Sequence, residues 1–180
     1  SMNETAGPRN AQTAETVGWA KAHVINSGRY EDDYGGGNCQ VSGTLYNAAI
    51  RAELGIAERH THSWPSTYVP EGLDATVNYP SGDLDSSGNK DLKLTNPYDM
   101  PIYLAAYLDD STKTLTIEVY GPPSLHGYTV DFVAIKVGSD RAPDPTYTYD
   151  SAACPDGTAI AAGSKTEWVT PRDGQTWQVW

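Results

Sequence analysis

The residues with the clearest chemical potential in this sequence are one cysteine and two histidines. Cys39 comes directly after three glycines, and His60 and His62 follow later in the chain. A thiol at the N-terminal end of a helix ionises more easily, because the helix dipole is positive there. An imidazole that faces such a thiol can accept its proton and return it. The pattern therefore predicts a cysteine nucleophile with a histidine base.

The glycines before Cys39 indicate a backbone that can take unusual angles. Their N–H groups can then converge on one point and stabilise the negative oxygen of an acyl intermediate. Asp74 can accept the second imidazole proton of a catalytic histidine, or it can merely cap the turn after Gly72. We predict oxyanion or substrate binding at six positions, namely Gly36, Gly37, Gln40, Ser42, Arg59 and Asp74.

Other interpretations of the same residues stay open. If the chain around them is extended, His60 and His62 point to one face, where one is the base and the other orients it or contacts substrate. The pair could instead bind zinc together with Cys39 or Asp74, or it could simply lie on the surface. Cys39 could be a small packed side chain or one half of a disulfide to Cys154.

The best helix candidate follows Cys39 and covers residues 40–54. Its apolar residues share one face of a helix with 3.6 residues per turn, and they are Val41, Leu45, Ala48, Ala49 and Ala52. Gly55 is a natural C-terminal stop. Gly43 costs about 1 kcal/mol relative to alanine inside a helix, so it indicates the close approach of another group.

The rest of the chain alternates apolar and polar residues in short runs between turns, which predicts strands. The acidic run 31–33 predicts a loop, and the three strands within 91–120 predict an antiparallel meander. The predicted strands are residues 75–79, 91–95, 102–108, 115–120 and 128–137, with a final hairpin of 168–169 and 177–180.

These elements predict an α+β fold, in which a β-rich and mostly antiparallel domain carries one main helix after the Gly-Gly-Gly-Asn-Cys turn. Gly121-Pro122-Pro123 marks the expected boundary. We therefore divide the chain into a domain of residues 1–121 and a β-rich C-terminal extension of residues 122–180, which stops inside an apolar strand. Ser1-Met2 is typical of a tag-removal scar, so we expect a piece excised from a longer protein.

The composition excludes several classes of function. The chain has 180 residues, with 23 Asp and Glu against 12 Lys and Arg, and its net charge is −11. Nucleic acids and anionic lipid surfaces attract cationic proteins, so neither is an expected partner. No apolar run reaches the ~18 residues that a membrane-spanning helix needs. The two cysteines form no CxxC motif, which argues against a redox pair or a zinc knuckle.

Several motifs, taken in their order, resemble the VanW family. They are residues 35–42 (GGGNCQVS), 44–49 (TLYNAA), 58–63 (ERHTHS), 68–70 (YVP) and 74–77 (DATV), between a typical start at residue 3 and a typical end at residue 121. Three positions depart from the family's pattern. Asn38 stands where a bulky apolar residue is usual, Gly43 where threonine is usual, and Leu73 where arginine is frequent.

The resemblance implies an exported protein of the bacterial cell surface, often membrane-anchored through a segment outside this chain. The family name reflects an association with glycopeptide-resistance clusters. VanW domains are proposed to be cysteine-dependent L,D-transpeptidases, which cross-link the stem peptides of peptidoglycan. The family's cysteine corresponds to Cys39 and its histidines correspond to His60 and His62. The resemblance implies neither a cofactor nor a metal.

We therefore expect a peptidoglycan-modifying, L,D-transpeptidase-like acyl transferase that works through a cysteine nucleophile. The two alternatives are a non-catalytic module that binds the cell wall and a zinc-dependent hydrolase that uses the histidine pair. The expected partners are peptidoglycan stem peptides, and the expected location is extracellular. The sequence alone does not decide which histidine is the base or whether Cys154 is free.

Overall fold

A computed structural model describes residues 18, 20–26, 29–78, 88–121, 128–143, 146–148, 166–169 and 173–179. Within them the chain forms one helix and ten strands, all paired antiparallel, which confirms the predicted α+β class. The helix α1 covers Asn38–Arg51. The strands are β1 Lys21–Asn26, β2 Arg29–Tyr34, β3 Gly55–Glu58, β4 Lys93–Thr95, β5 Tyr103–Asp109, β6 Thr114–Tyr120, β7 Ala134–Asp140, β8 Thr146–Thr148, β9 Thr166–Val169 and β10 Gly174–Val179.

The glycine run sets the start of α1 in two different ways. Gly37 caps the helix with a φ of 85°, a left-handed conformation that glycine adopts without strain. A Cβ on Gly36 would lie only 2.3 Å from the carbonyl carbon of Ala22, so β1 can approach the turn only because that atom is absent. The helix begins at Asn38 rather than at residue 40, and Cys39 therefore lies inside its first turn.

The helix also ends earlier than the sequence predicts, at Arg51 rather than at residue 54. Glu53 takes a φ of 51°, and the N–H of Leu54 donates back to the carbonyl of Ala49 at 2.9 Å. The predicted stop at Gly55 is wrong because that glycine opens β3. A Cβ there would lie 2.1 Å from the Thr95 hydroxyl, so the missing side chain serves strand pairing.

The core forms where α1 crosses a buried segment, residues 73–77. Tyr46 of the helix packs against Ala75, Val77 and Leu92 in one cluster, with Cys39, Leu45, Ile50 and Leu94 at its edge. The segment is not the strand predicted over 75–79, because its described part pairs only through a bridge between Asn78 and Lys90. A Cβ on Gly43 would be at ordinary contact distance, 3.8 Å, from Ala75, so the expected close approach is not enforced there.

Side-chain hydrogen bonds, rather than a strand ladder, hold the segment 73–77 against the helix. The hydroxyl of Ser42, which is fully buried, lies within hydrogen-bond distance of the carbonyls of Ala75 and Cys39. Asn47 donates from its amide to the carbonyl of Leu73 at 2.8 Å. These bonds satisfy polar backbone groups that burial would otherwise leave without a partner.

Two further predictions about the strands before residue 121 are wrong. The acidic run 31–33 lies in β2, paired with β1, because an exposed two-stranded hairpin tolerates charges such as those of Asp32 and Asp33. The expected meander is also absent from the described sheets, since β4 pairs with β3 and leaves β5 and β6 as a separate hairpin. The ion pair of Lys93 with Glu58, at 2.7 Å, favours the β3–β4 pairing.

The strands beyond residue 121 pair across longer distances than the local turns indicate. The long strand expected at 128–137 begins only at Ala134, and it pairs with β10. Strand β9 pairs with β8 instead of forming the predicted hairpin with residues 177–180. A short turn signal carries no information about such partners, because they are fixed by tertiary contacts.

The extension touches the helix end and the turn at Gly72. The hydroxyl of Tyr128 donates to Glu53 at 3.0 Å, and the guanidinium of Arg51 lies 4.2 Å from the centre of the Phe132 ring. A Cβ on Gly72 would come within 3.2 Å of Trp177. The division of the chain at residue 121 stays a prediction. No helix in the described ranges has the length and apolar character needed to cross a membrane.

Replacing Ser42 by alanine should destabilise the fold by about 1–3 kcal/mol, because a buried carbonyl loses its donor. Thr44→Ala is the matched control on the same helix, since the Thr44 hydroxyl donates to the carbonyl of Gln40 one turn before it and bonds to no second element among the described residues. The control should change the free energy of unfolding by less than about 0.5 kcal/mol. Denaturant unfolding measures both values, and equal losses would contradict the role given to Ser42.

Candidate functional site

The thiol of Cys39 lies at the point where the first turn of α1 meets the segment 73–77. Its sulfur is 3.3 Å from the Thr76 hydroxyl and 3.5 Å from the carbonyl oxygen of Val77. The side chain is half-buried, and the cysteine is a free thiol. The disulfide alternative is therefore not realised at Cys39, while Cys154 lies outside the described residues.

His62 is held in place by a carboxylate that it contacts twice. Its backbone N–H donates to Oδ2 of Asp74 at 2.7 Å, and its ring Nδ1 lies 2.7 Å from the same oxygen. Because Nδ1 is directed at Asp74, the other ring nitrogen, Nε2, lies on the side of the pocket that contains Cys39. There Nε2 lies 3.4 Å from the Tyr68 hydroxyl, and the ring lines the same pocket as Cys39.

Asp74 is positioned in turn by Arg59. The guanidinium donates to Oδ1 of Asp74 at 3.1 Å, to the backbone carbonyl of Asp74 at 2.7 Å and to that of Gly72 at 2.9 Å. The same guanidinium lies 4.8 Å from the centre of the Tyr46 ring, which ties it to the core. Such a planar fork fixes both the position and the orientation of its carboxylate.

The surroundings of Cys39 favour its thiolate. Burial of the sulfur raises its pKa, but the interaction with the His62 ring and the hydrogen bond with Thr76 lower it more, so the pKa of Cys39 lies below that of an ordinary cysteine. The N-terminus of α1 adds a favourable dipole in the same direction. The site therefore favours ionisation of the sulfur, and the thiolate is the form in which a cysteine acts as a nucleophile.

The surroundings of His62 favour its imidazolium. Burial lowers the pKa of the ring, but the hydrogen bond with Asp74 and the interaction with Cys39 raise it by more, to about 9. Burial raises the pKa of the Asp74 carboxyl, and the hydrogen bonds from His62 and the charge of Arg59 more than reverse that effect. The directions of the three pKa shifts thus favour the thiolate of Cys39, the imidazolium of His62 and the carboxylate of Asp74.

His60 lies apart from this set. Its Nε2 is 2.9 Å from a carboxylate oxygen of Glu58, which also binds Lys93. Residues 59–62 follow β3 without continuing it, so the expected shared face of the two rings is not formed by a regular strand. The backbone of His60 still supports the site, because its carbonyl accepts the N–H of Thr76 at 2.8 Å.

The six positions predicted for oxyanion or substrate binding divide into two groups. Gly36, Gly37 and Gln40 line a pocket of about 330 Å³ together with Cys39 and His62. The side chains of the other three, Ser42, Arg59 and Asp74, are engaged in the structural hydrogen bonds described above.

Within the described chain, the N–H of Gln40 donates to the carbonyl of Gly37, whereas the N–H of Cys39 has no backbone acceptor.

Thr76 is the site residue that sequence reasoning did not single out. Its hydroxyl is hydrogen-bonded to the Cys39 sulfur at 3.3 Å, closer than the carbonyl of Val77 at 3.5 Å, and Thr76 lines the same pocket. The signal was present in the sequence, because Asp74 and Thr76 are two residues apart in one motif. In an extended segment such residues point to the same side.

The residues do not form a metal site of the predicted kind. In the part of the chain that the structure describes, no three side chains of His, Cys, Asp or Glu are grouped as ligands. Both carboxylate oxygens of Asp74 are already taken by Arg59 and His62, and His60 is directed at Glu58. The zinc alternative therefore lacks its expected ligand set among these residues.

The thiol of Cys39 should react with a neutral alkylating agent along a pH curve whose midpoint lies below the usual cysteine value. In His62→Gln the midpoint should rise above that of the wild type, because burial persists while the positive partner is lost. His60→Gln is the matched control and should leave the curve unchanged, since His60 pairs with Glu58. Equal shifts in both variants would contradict the pairing of His62 with Cys39.

Comparison with known proteins identifies the family of this chain. A family model described as VanW like protein matches residues 1–120. The Uncharacterized protein YoaR of Bacillus subtilis (strain 168) is 38% identical over 106 residues, which are 59% of this chain and 31% of that protein. The chain thus spans about a third of the length of this relative. No solved structure matches the chain. Because the family model covers 120 of the 180 residues, the chain belongs to the VanW family.

Proposed function

We propose that this domain is a cysteine L,D-transpeptidase that acts on the stem peptides of peptidoglycan at the bacterial cell surface. The observation that carries the proposal is the ordered set Cys39, His62 and Asp74, in which the thiol and the imidazole line one pocket and the imidazole is hydrogen-bonded to a buried carboxylate. That order is the arrangement by which a nucleophile, its base and an orienting group work in acyl transfer. The substrate class comes from the VanW resemblance.

The first step is acylation of the sulfur. The Cys39 thiolate attacks the carbonyl carbon before the terminal D-residue of a stem peptide, and a tetrahedral oxyanion forms. As it collapses, the C–N bond breaks and the imidazolium of His62 gives its proton to the leaving amine. The products are a thioester on Cys39, a neutral His62 and the released D-amino acid.

The second step returns the enzyme to its starting state. The amine of a neighbouring stem attacks the thioester carbonyl and gives a proton to neutral His62. The C–S bond then breaks, so that a new amide forms and the thiolate of Cys39 is restored beside the imidazolium. The backbone N–H of Cys39, which faces no backbone acceptor in the described chain, is our candidate donor to both oxyanions.

Asp74 and Arg59 act through His62 and are positioning residues. Asp74 keeps the imidazole in one orientation, with Nδ1 turned away from the pocket, and stabilises the ring when it carries a proton. Arg59 holds that carboxylate ionised and in place, which the lowered pKa of Asp74 reflects. In this proposal His60 takes no part in the proton transfers.

Purified protein incubated with tetrapeptide stems should form cross-linked dimers and a thioester adduct that mass spectrometry of proteolytic peptides locates on Cys39. Cys39→Ala should abolish both signals, and Cys39→Ser should lower the rate by about 10³-fold or more, because the nucleophile and its base act as a unit. Cys154→Ala is the control that removes the other thiol and should keep full activity. Full cross-linking by Cys39→Ala would reject the proposal. Wild-type protein that binds cell wall but forms neither product would instead favour the non-catalytic wall-binding module.

Asp74→Asn should lower kcat/KM by about 10²–10⁴-fold, because His62 would lose its orientation and the partner of its protonated form. Glu58→Gln is the matched control, since Glu58 is the carboxylate beside the other histidine, His60. It should change kcat/KM by no more than about twofold. Steady-state kinetics on one stem peptide compare the two variants, and similar losses in both would count against the assignment of His62.

A further inference from the structure

Tyr68 lines the pocket beside Cys39 and has no role in the two steps described above. Its hydroxyl lies 3.4 Å from Nε2 of His62. The phenol ring meets the imidazole edge to face, with the two ring centres 6.2 Å apart and the ring planes at 81°. The hydroxyl is therefore placed at the nitrogen through which His62 would exchange protons with a substrate.

The side chain of Tyr68 is also in contact with the helix. A Cβ on Gly43 would lie 3.8 Å from Cε2 of the Tyr68 ring, which is an ordinary contact distance. Tyr68 is nevertheless 40% exposed, and it lines a shallow groove formed by residues 65–71 as well as the pocket. The ring thus contacts both α1 and His62 and is still accessible to a substrate.

The hydroxyl of Tyr68 keeps its proton in this environment. Burial raises its pKa, and the negative charges of Cys39 and Asp74 raise it further. A neutral phenol can accept one hydrogen bond and donate another at the same time. It can therefore receive a proton from one neighbour while it releases its own proton to a second.

The position of this hydroxyl affects how His62 can act as a base. Nδ1 is committed to Asp74, so Nε2 must exchange the proton with the reacting amine. When His62 is neutral, the Tyr68 O–H lies where it can donate to the lone pair of Nε2. A hydroxyl in that position blocks the base unless it passes a proton on. The distance of 3.4 Å is long for such a bond, and catalytic hydrogen bonds often tighten when the substrate binds.

We propose that Tyr68 relays the proton between His62 and the nitrogen of the substrate. The inference rests on the proposed function and adds a catalytic residue to it. In acylation, the proton on Nε2 of the imidazolium passes to the phenol oxygen, and the phenol proton passes to the leaving nitrogen as the C–N bond breaks. The products are the thioester on Cys39, a neutral His62 and an unchanged Tyr68.

The second step uses the same relay in the opposite direction. The leaving nitrogen and the attacking nitrogen each bond to the same carbonyl carbon, so both pass through the same place in the pocket. The attacking amine gives a proton to the phenol oxygen of Tyr68, and the phenol proton passes to Nε2 of His62. The C–S bond then breaks, which restores the thiolate of Cys39 beside the imidazolium.

Two donors that carry the same acyl group test the relay. One is a tetrapeptide stem, whose leaving amine needs a proton, and the other is a thioester, whose thiol leaves as a thiolate and needs none. Tyr68→Phe keeps the ring and removes the hydroxyl. It should slow acylation by the peptide about 10- to 100-fold and acylation by the thioester by no more than about twofold. Release of the D-amino acid or of the thiol in the first turnover gives the two rates.

Tyr34→Phe is the matched control, because Tyr34 lines the same pocket while the centre of its ring lies 5.3 Å from Nζ of Lys21. It should change neither rate by more than about twofold. The inference would be overturned if Tyr68→Phe were acylated by the peptide at the wild-type rate. Equal losses with both donors would also overturn it, since a purely structural role of the hydroxyl predicts that result. Wild-type protein that forms no adduct from the peptide would instead reject the proposed function.

A measurement on the wild type does not depend on how the variant folds. In mixtures of light and heavy water, a step that moves two protons together gives a rate that curves with the deuterium fraction, whereas a step that moves one proton gives a straight line. Acylation by the peptide should give a curve in the wild type and a straight line in Tyr68→Phe. A straight line in the wild type would overturn the relay.

Discussion

The site depends on the hydrogen bonds that the buried carboxylate of Asp74 accepts. Its side chain and backbone carbonyl together receive bonds from the Arg59 guanidinium and from the backbone and ring of His62. A carboxylate with so little exposure is costly unless such donors surround it. The burial is therefore compensated by the same contacts that place the imidazole, which makes the position of His62 a property of the fold rather than of a flexible loop.

The carboxylate can occupy that place because the segment 73–77 is tied to the helix on its other side. Ser42 and Asn47 contact the carbonyls of Ala75 and Leu73, and Tyr46 packs over the same segment. One short piece of chain thus carries Asp74 towards His62 and Thr76 towards Cys39. The thiol and the residues around it come from distant parts of the sequence, yet they meet through a single buried crossing.

The α+β class and the family can be predicted from the sequence, because alternating runs and ordered motifs are local patterns. The interest of Cys39 as a candidate site residue can also be predicted, because a glycine run before a helix is a local signal. The sequence does not separate His60 from His62, since the two are chemically equal and differ only in which carboxylate each meets, Glu58 or Asp74. Strand partners such as β7 with β10 are equally hidden from local patterns, because they depend on tertiary contacts across the extension. Ser42 looks like a polar residue in a helix, and only its buried position shows that it joins two elements.

The glycine run before Cys39 has a consequence for how relatives of this protein can vary. Gly37 is constrained by its backbone angle, which asparagine can also adopt at modest cost, whereas Gly36 is constrained by the space that Ala22 occupies. A substitution at Gly37 would strain the helix start and leave the pocket wall in place. A substitution at Gly36 would instead push β1 away and open the pocket beside the sulfur. Two neighbouring positions of one motif are therefore constrained for different reasons. Gly37 is needed for the geometry of the helix start, and Gly36 is needed for the shape of the pocket beside Cys39.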